Sequence, residues 1–247
     1  MTPRCFVEPE EWSKGRLLLS VSDSRHFSTV LRCVPGDSII VCDGLGGEAL
    51  CRIAGEEGGC LVAEVYERER QTSSGVMVTL VQAVPKSQKM ELIIQKATEI
   101  GVWMIVPVMT ERGVVKLDGE RAEHKRERWQ KIAEEAAKQC RAAWVPRVEP
   151  IVSIKRLMES GLETDLSLVG SLEHDAVPLR KYLRSREGNP PQSVSLLIGP
   201  EGDLSPSELE LVKAKGVVPV SYGDRILRVE TAALYGLSVL AYEFPAR

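Results

Sequence analysis

The chain has 247 residues, 43% of them hydrophobic, and a formal net charge of −3. That is enough apolar material for one large domain or two smaller ones, and it excludes an unfolded, charge-dominated polypeptide. The slight acidity offers no bulk attraction to nucleic acid. No apolar run approaches the roughly 20 residues of a membrane helix, and Met1-Thr2-Pro3-Arg4 lacks a secretory apolar stretch, so a cytoplasmic chain is expected.

Residues 16–67 alternate short β-rich runs with glycine turns: Arg16–Val21, Ser38–Asp43, Glu48–Ala54 and Cys60–Glu67, joined through 43–47 and 55–59. Hairpins at that spacing predict a small barrel or curled sheet, with one helical insert over Ser24–Cys33. The six cysteines include no CxxC pair and most lie in apolar strand-like runs, as reduced core thiols do. Arg4, Arg25, His26 and Arg32 mix basic and aromatic character on this β-rich part. Such a patch can grip an RNA backbone, although solvated surface charge is the commoner outcome. Residues 68–75 are polar and aperiodic, which places a domain boundary there, giving domains 1–73 and 74–247.

From residue 76 strands and helices alternate. A strand over Val76–Val84 leads to an amphipathic helix over Gln88–Ile100, with Met90, Ile93, Ile94, Ala97 and Ile100 on one face, and then to a strand over Met104–Val108. A helix over Glu127–Cys140 follows, then strand-like segments Leu166–Ser171, Val194–Ile198 and Val217–Tyr222, and a last helix over Glu230–Glu243. Strands separated by helices predict an α/β fold, a mostly parallel sheet with helices on both faces.

The most informative stretch is the apolar run Val194–Ile198, which stops at Gly199-Pro200-Glu201-Gly202 and restarts as Ser205-Pro206-Ser207-Glu208. Pro200 presets a turn, Ser205 fits an N-cap, Pro206 the first helical position and Glu208 the third residue of a capping box. A second turn, Gly223-Asp224-Arg225-Ile226-Leu227-Arg228, follows the next strand. Ligands of open α/β sheets bind beyond the carboxyl ends of strands, so two such turns together predict a site. Its main-chain groups could read an adenine edge against Ile226 and Leu227. Arg112, past the strand Met104–Val108, falls at the same edge, as do Arg228 and Glu230 at the start of the last helix. Each arginine alone could equally be a surface ion pair. Glu201 could be no more than a turn residue favouring the nearby helix N-terminus. Neither GxxxxGK[ST] nor GxGxxG follows a strand, and the three histidines are too scattered for a metal site; His174 reads as a solvated loop residue.

Pro85–Gly101, Thr110-Glu111-Arg112, Glu127-Arg128-Trp129, Leu197–Gly202 and Arg225–Ala232, in that order, resemble the bacterial 16S ribosomal RNA (uridine N3)-methyltransferases, the RsmE family of the SPOUT superfamily. Arg25-His26, Leu31-Arg32 and Pro35-Gly36-Asp37 are similar to that family's PUA-like domain. The resemblance covers nearly the whole chain. It implies a SPOUT-type knotted sheet whose C-terminal segment forms a trefoil knot, plus a small N-terminal PUA-like β-barrel domain. It also implies bound S-adenosylmethionine, 16S ribosomal RNA or the small ribosomal subunit as partner, and a homodimer; no metal is expected from the scattered histidines. Periodicity alone predicts an unknotted doubly wound sheet. By matching position the resemblance assigns the cofactor to Ile198, Gly199, Pro200, Gly202, Ser221, Gly223, Ile226, Leu227 and Thr231, and the reacting base to Arg112, Arg228 and Glu201.

Three positions depart from the family: Asp203 for a common glycine, Val229 for a threonine, and Arg141-Ala142-Ala143 for Gly-Arg. Methylation at a uracil nitrogen would call on Arg228 or Arg112 to stabilise developing negative charge and on Glu201 or water to take the proton. The rival readings are a non-catalytic rRNA-binding assembly factor that keeps the fold, and an α/β oxidoreductase, which the missing glycine fingerprint disfavours.

Overall fold

In the computed structural model, residues 2–71, 75–86, 89–113, 119–186 and 190–244 are described. Thr72–Ser74, within the expected boundary, and Gln88, the first residue of an expected helix, lie outside them. The chain divides into two compact units, Met1–Ser73 with Ala137–Val145, and Ser74–Ala136 with Pro146–Arg247.

The first unit contains β1 (Arg4–Phe6), β2 (Arg16–Leu18), α1 (Val21–Arg25), a π-helix (His26–Val30), β3 (Ser38–Cys42), β4 (Gly47–Glu57) and β5 (Cys60–Arg70). The strands form one five-stranded sheet in the order β1-β3-β4-β5-β2, antiparallel except for β1 beside β3. Register shifts at Leu50/Cys51 and Ile53/Gly55 bend the β4–β5 ribbon, the usual way a small sheet curls. Alternate residues of β4 point inward and, with Leu17, Phe27, Ile39 and Val41, build the core.

Two elements differ from expectation. β5 continues to Arg70 through the charged stretch read as linker, because exposed charges do not prevent ladder pairing with β4. The helical insert begins at Val21 and changes character, with Leu31 N–H donating to the His26 carbonyl to close the π-turn. All six cysteines are free thiols; burial, outweighing the nearby Arg4, pushes Cys42 up to about 12, and burial pushes Cys51 up to about 11. The segment 137–145 joins this unit through a Lys138–Asp23 ion pair at 2.8 Å and a bridge between Leu45 and Trp144.

The second unit begins with β6 (Met77–Ala83), α2 (Lys89–Ile100), β7 (Met104–Met109) and α3 (Gly119–Cys140), whose last residues belong to the first unit. Then come β8 (Arg147–Val148), β9 (Val152–Ser153), α4 (Ile154–Ser160), β10 (Leu166–Gly170), β11 (Val177–Pro178) and α5 (Leu179–Arg184). The unit closes with β12 (Ser193–Ile198), α6 (Pro206–Ala214), β13 (Val218–Ser221) and α7 (Val229–Glu243).

Every strand pairing here is parallel, in the order β11-β13-β10-β12-β6-β7-β8, with β9 also on β7. Val81, Val106, Val169 and Leu197 pack on one side with α4 and α6, while α7 covers β6 and β12 and packs on α2. Burial on both faces explains the nearly continuous apolar strands. β12 inserts between β6 and β10, and β13 between β10 and β11, so the chain from Ser193 on enters slots between strands that precede it in sequence. No described helix is long and apolar enough to cross a membrane.

Candidate active site

The carboxyl rim of the parallel sheet carries both predicted turns. After β12 the turn closes with Asp203 N–H donating to the Pro200 carbonyl at 2.9 Å. Asp203 has φ +60°, a left-handed conformation that a side chain resists and glycine does not. The cost is offset locally, because Asp203 Oδ1 accepts the Leu204 N–H at 2.8 Å. Ser205 then caps α6 as predicted, with Glu208 completing the box and Pro206 in the first turn. The other oxygen of Glu208 accepts the Glu111 N–H at 2.8 Å, tying this segment to the loop after β7.

Arg112, on that loop, donates from Nη1 to the carbonyls of Gly202 at 3.0 Å and Leu204 at 3.2 Å. Its guanidinium grips the back of the turn. Glu201, at the turn's apex, accepts at 3.3 Å from Lys89 Nζ and at 3.3 Å from the Lys86 N–H. Burial pulls the Glu201 carboxyl up, but its own backbone N–H, the Lys89 ammonium and the Lys86 N–H outweigh that and hold it below the usual range. An anion stabilised in this way is a weak proton acceptor.

The second turn is held very differently. β13 ends at Ser221, and Tyr222 packs its ring 5.3 Å from that of Tyr235 on α7. Its hydroxyl is buried without a hydrogen-bond partner, and burial pushes the phenol well above its ordinary range. Gly170 and Gly236 make this possible: a Cβ on Gly236 would lie 2.6 Å from Leu196 Cδ2 and 2.7 Å from the Tyr222 oxygen, and one on Gly170 would lie 3.3 Å from that oxygen. Beyond Tyr222, residues 223–226 are exposed, Ile226 to 80%. α7 then begins without a side-chain cap, leaving its first N–H groups open. Val229 is buried and contributes no cap.

Between the turns lies a cavity of about 740 Å³. Its walls include Ile198, Gly199, Pro200 and Glu201 from the first turn and Ser221, Gly223, Ile226, Leu227 and Arg228 from the second, with Lys89 from α2 and His174 from the segment after β10. Three predicted residues do not line it: Gly202 faces Arg112, Arg112 holds the turn from behind, and Thr231 is exposed on α7. Arg228 does line it, and makes no side-chain hydrogen bond or ion pair among the described residues. Sequence reasoning missed Lys89 and Tyr222, because neither sits in a turn and their partners are distant in sequence. His174, read as a solvated loop residue, is exposed on the cavity wall.

A second cavity of about 680 Å³, lined by Met109, Thr110, Ser207 and Leu211 among others, contains none of the predicted residues. On the first unit, Arg4 is committed to Glu48 and the Cys42 thiol. Arg25, His26 and Arg32 are exposed and carry no ion pair among the described residues, and they share their surface with the exposed apolar Val30, Leu31 and Val34. Among the described residues no group of three or more His, Cys, Asp or Glu could hold a metal.

The main cavity suits a nucleoside-sized ligand. It offers apolar walls, the main chain of both turns, and an uncapped helix start. Residues 72–241 match the model of an RNA methyltransferase domain, and residues 19–65 that of an RNA methyltransferase PUA domain. The ribosomal RNA small subunit methyltransferase E of Bacillus subtilis is 38% identical over 88% of this chain and 86% of its own length. Its namesake from Synechocystis is 34% identical over 96% of this chain and 77% of its own length. Among solved structures, ribosomal RNA small subunit methyltransferase E from Neisseria gonorrhoeae, bound to S-adenosyl methionine, is 29% identical. It covers 98% of both chains with a TM-score of 0.85. A Legionella pneumophila structure in complex with bound SAM is 31% identical over 98% of both chains, with a TM-score of 0.86.

Proposed function

The chain belongs to the family of ribosomal RNA small subunit methyltransferase E, with its SPOUT fold and PUA domain, and on that premise we propose that it methylates N3 of one uridine in 16S ribosomal RNA. It is an S-adenosylmethionine-dependent RNA methyltransferase, and the family's catalytic character sets aside the reading as a non-catalytic assembly factor. The observation that carries the finer reading is the convergence of two strand-end turns on one cavity that also holds an unpaired arginine.

When bound, S-adenosylmethionine supplies an electrophilic methyl group. Ile198, Gly199, Pro200, Ser221, Gly223, Ile226 and Leu227 would hold it and Gly202 would shape the turn under the hold of Arg112, while Thr231, exposed outside the cavity lining, is left out of that set. Uracil N3 must lose a proton to become nucleophilic, and the charge then spreads to the flanking carbonyl oxygens. Arg228 is placed to stabilise that charge. Glu201, kept ionised, contributes a fixed negative charge at the mouth, and the proton passes to water. Because N3 lies on the pairing edge, the base must be unpaired or turned out to react.

Residues 1–73 form the RNA-gripping domain and 74–247 the catalytic one. Arg25, His26 and Arg32 supply the grip, while Arg4 braces the sheet beneath. The protein works in the cytoplasm as a homodimer. The exposed Tyr235 and Tyr242 of α7 support a second copy as their cover. Light scattering of the purified chain reads that state directly.

The deciding experiment maps methylated uridines in small-subunit RNA from cells with and without the protein. It is repeated in vitro with naked 16S RNA and with assembled subunits. Loss of one N3-methyluridine in the deleted strain, restored by the wild-type chain, is expected. An unchanged methylation map would refute the assignment.

A further inference from the structure

We propose that Lys89 is a positioning residue for methyl transfer: its ammonium joins Glu201 on the first turn to Glu230 at the start of α7, and so fixes the spacing of the two walls of the cavity. The inference rests on the functional reading above for its relevance to catalysis, but not for its geometry. Lys89 Nζ lies 3.3 Å from Glu201 Oε1 and 3.3 Å from Glu230 Oε2, and lines the cavity between them. It is the one cation in ion-pair contact with either carboxylate among the described residues.

Helix stability does not account for this lysine. It opens α2, where the positive end of the helix dipole disfavours a cation. The two carboxylates reverse that preference. Glu230 Oε2 is buried and makes no hydrogen bond, so the ammonium at ion-pair distance is its charge balance. Glu201 and Glu230 reach the same nitrogen, so their oxygens lie within the sum of those two distances. Without Lys89 they would repel each other across the cavity mouth, and one would remain buried and uncompensated. Glu230 first, then Glu201, hold the ammonium above its ordinary range, so the staple stays charged throughout the physiological pH range.

The test uses the full chain as Lys89→Met, Lys89→Arg and wild type, with two readouts. Amide hydrogen exchange without cofactor reads the staple itself. Lys89→Met is expected to lose protection at Asp203 and Leu204 and at the first turn of α7 together, while Lys89→Arg keeps it. Calorimetric titration with S-adenosylmethionine reads the consequence. Lys89→Met should bind about tenfold more weakly, and Lys89→Arg within about threefold of wild type. Unchanged exchange in Lys89→Met, or unchanged affinity, overturns the proposal. If Lys89→Met does not fold, Glu230→Gln serves instead: it leaves the Glu201 pair intact and is expected to loosen only the start of α7, and unchanged exchange there is equally fatal. A wild type that binds no S-adenosylmethionine would instead overturn the functional reading, and the exchange result would still judge the staple.

Discussion

The two turns that face each other across the cavity are built on opposite principles. The Gly199–Leu204 turn is cross-braced: Arg112 holds two of its carbonyls, Asp203 closes it on itself, and Glu201 is tied to Lys89. The Gly223–Arg228 turn makes no side-chain hydrogen bond or ion pair among the described residues, exposes Ile226, and leads into an uncapped helix. Its one fixed point is the stem, where Tyr222 is wedged against Gly236. The contrast separates two tasks. A preformed wall sets where a ligand sits, and a sparsely bonded one, low in local stability, can adjust around it and present its free arginine to the chemistry.

The sharpest way to break this division is Arg228→Ala. It should lower kcat about 100-fold while leaving cofactor affinity within about threefold, because only the transition state needs its charge. Equal losses in affinity and turnover would place Arg228 in the braced class. Next in size, Gly236→Ala drives a methyl group against Leu196 and the Tyr222 hydroxyl and should cost about 2 kcal/mol in denaturant unfolding. No loss of stability would show that the stem is not wedged. Arg112→Ala removes two bonds to carbonyls and should cost about 1 kcal/mol, with weaker cofactor binding but unchanged kcat at saturation. A collapse in kcat with stability intact would return Arg112 to the reacting base.

The smallest effect concerns acid. The Glu201 carboxyl is depressed in the folded chain, so its stabilising contribution is complete above its unfolded value, near about 4.3, and is lost as pH falls through the folded value. Glu201→Gln should therefore narrow the stability gap to wild type as pH drops from neutral to below about 4. A gap that widens on acidification would mean the carboxyl is not held ionised. The effect is small because the side chain is partly solvated.

Local chemistry was the readable part of this chain. The capping box of Ser205 and Glu208 and the apolar face of α2 are legible from spacing alone, because each is set by residues within a turn or two of one another, and the parallel sheet follows from the alternation of strands and helices. The two-residue strands β8, β9 and β11 were invisible, since so short a strand exists only by pairing with a distant one. α3 begins at Gly119, ahead of the expected Glu127, because its first turns are charged and carry little apolar periodicity. At the site, both turns were legible as glycine and proline punctuation. The roles of Arg112 and Lys89 were not, because what each side chain touches lies about a hundred residues away.

The insertion of β12 between β6 and β10 sets a timetable for synthesis. Residues 77–82 leave the ribosome long before their partners at 193–198 exist, and the slot beside β10 that receives β13 is filled later still. During that interval the nascent chain displays unpaired, strongly apolar strand edges, the condition under which chaperones are recruited and mispairing begins. Both walls of the binding cavity come from this late-arriving segment, so the chain becomes competent for its ligand only after translation has passed the start of the last helix.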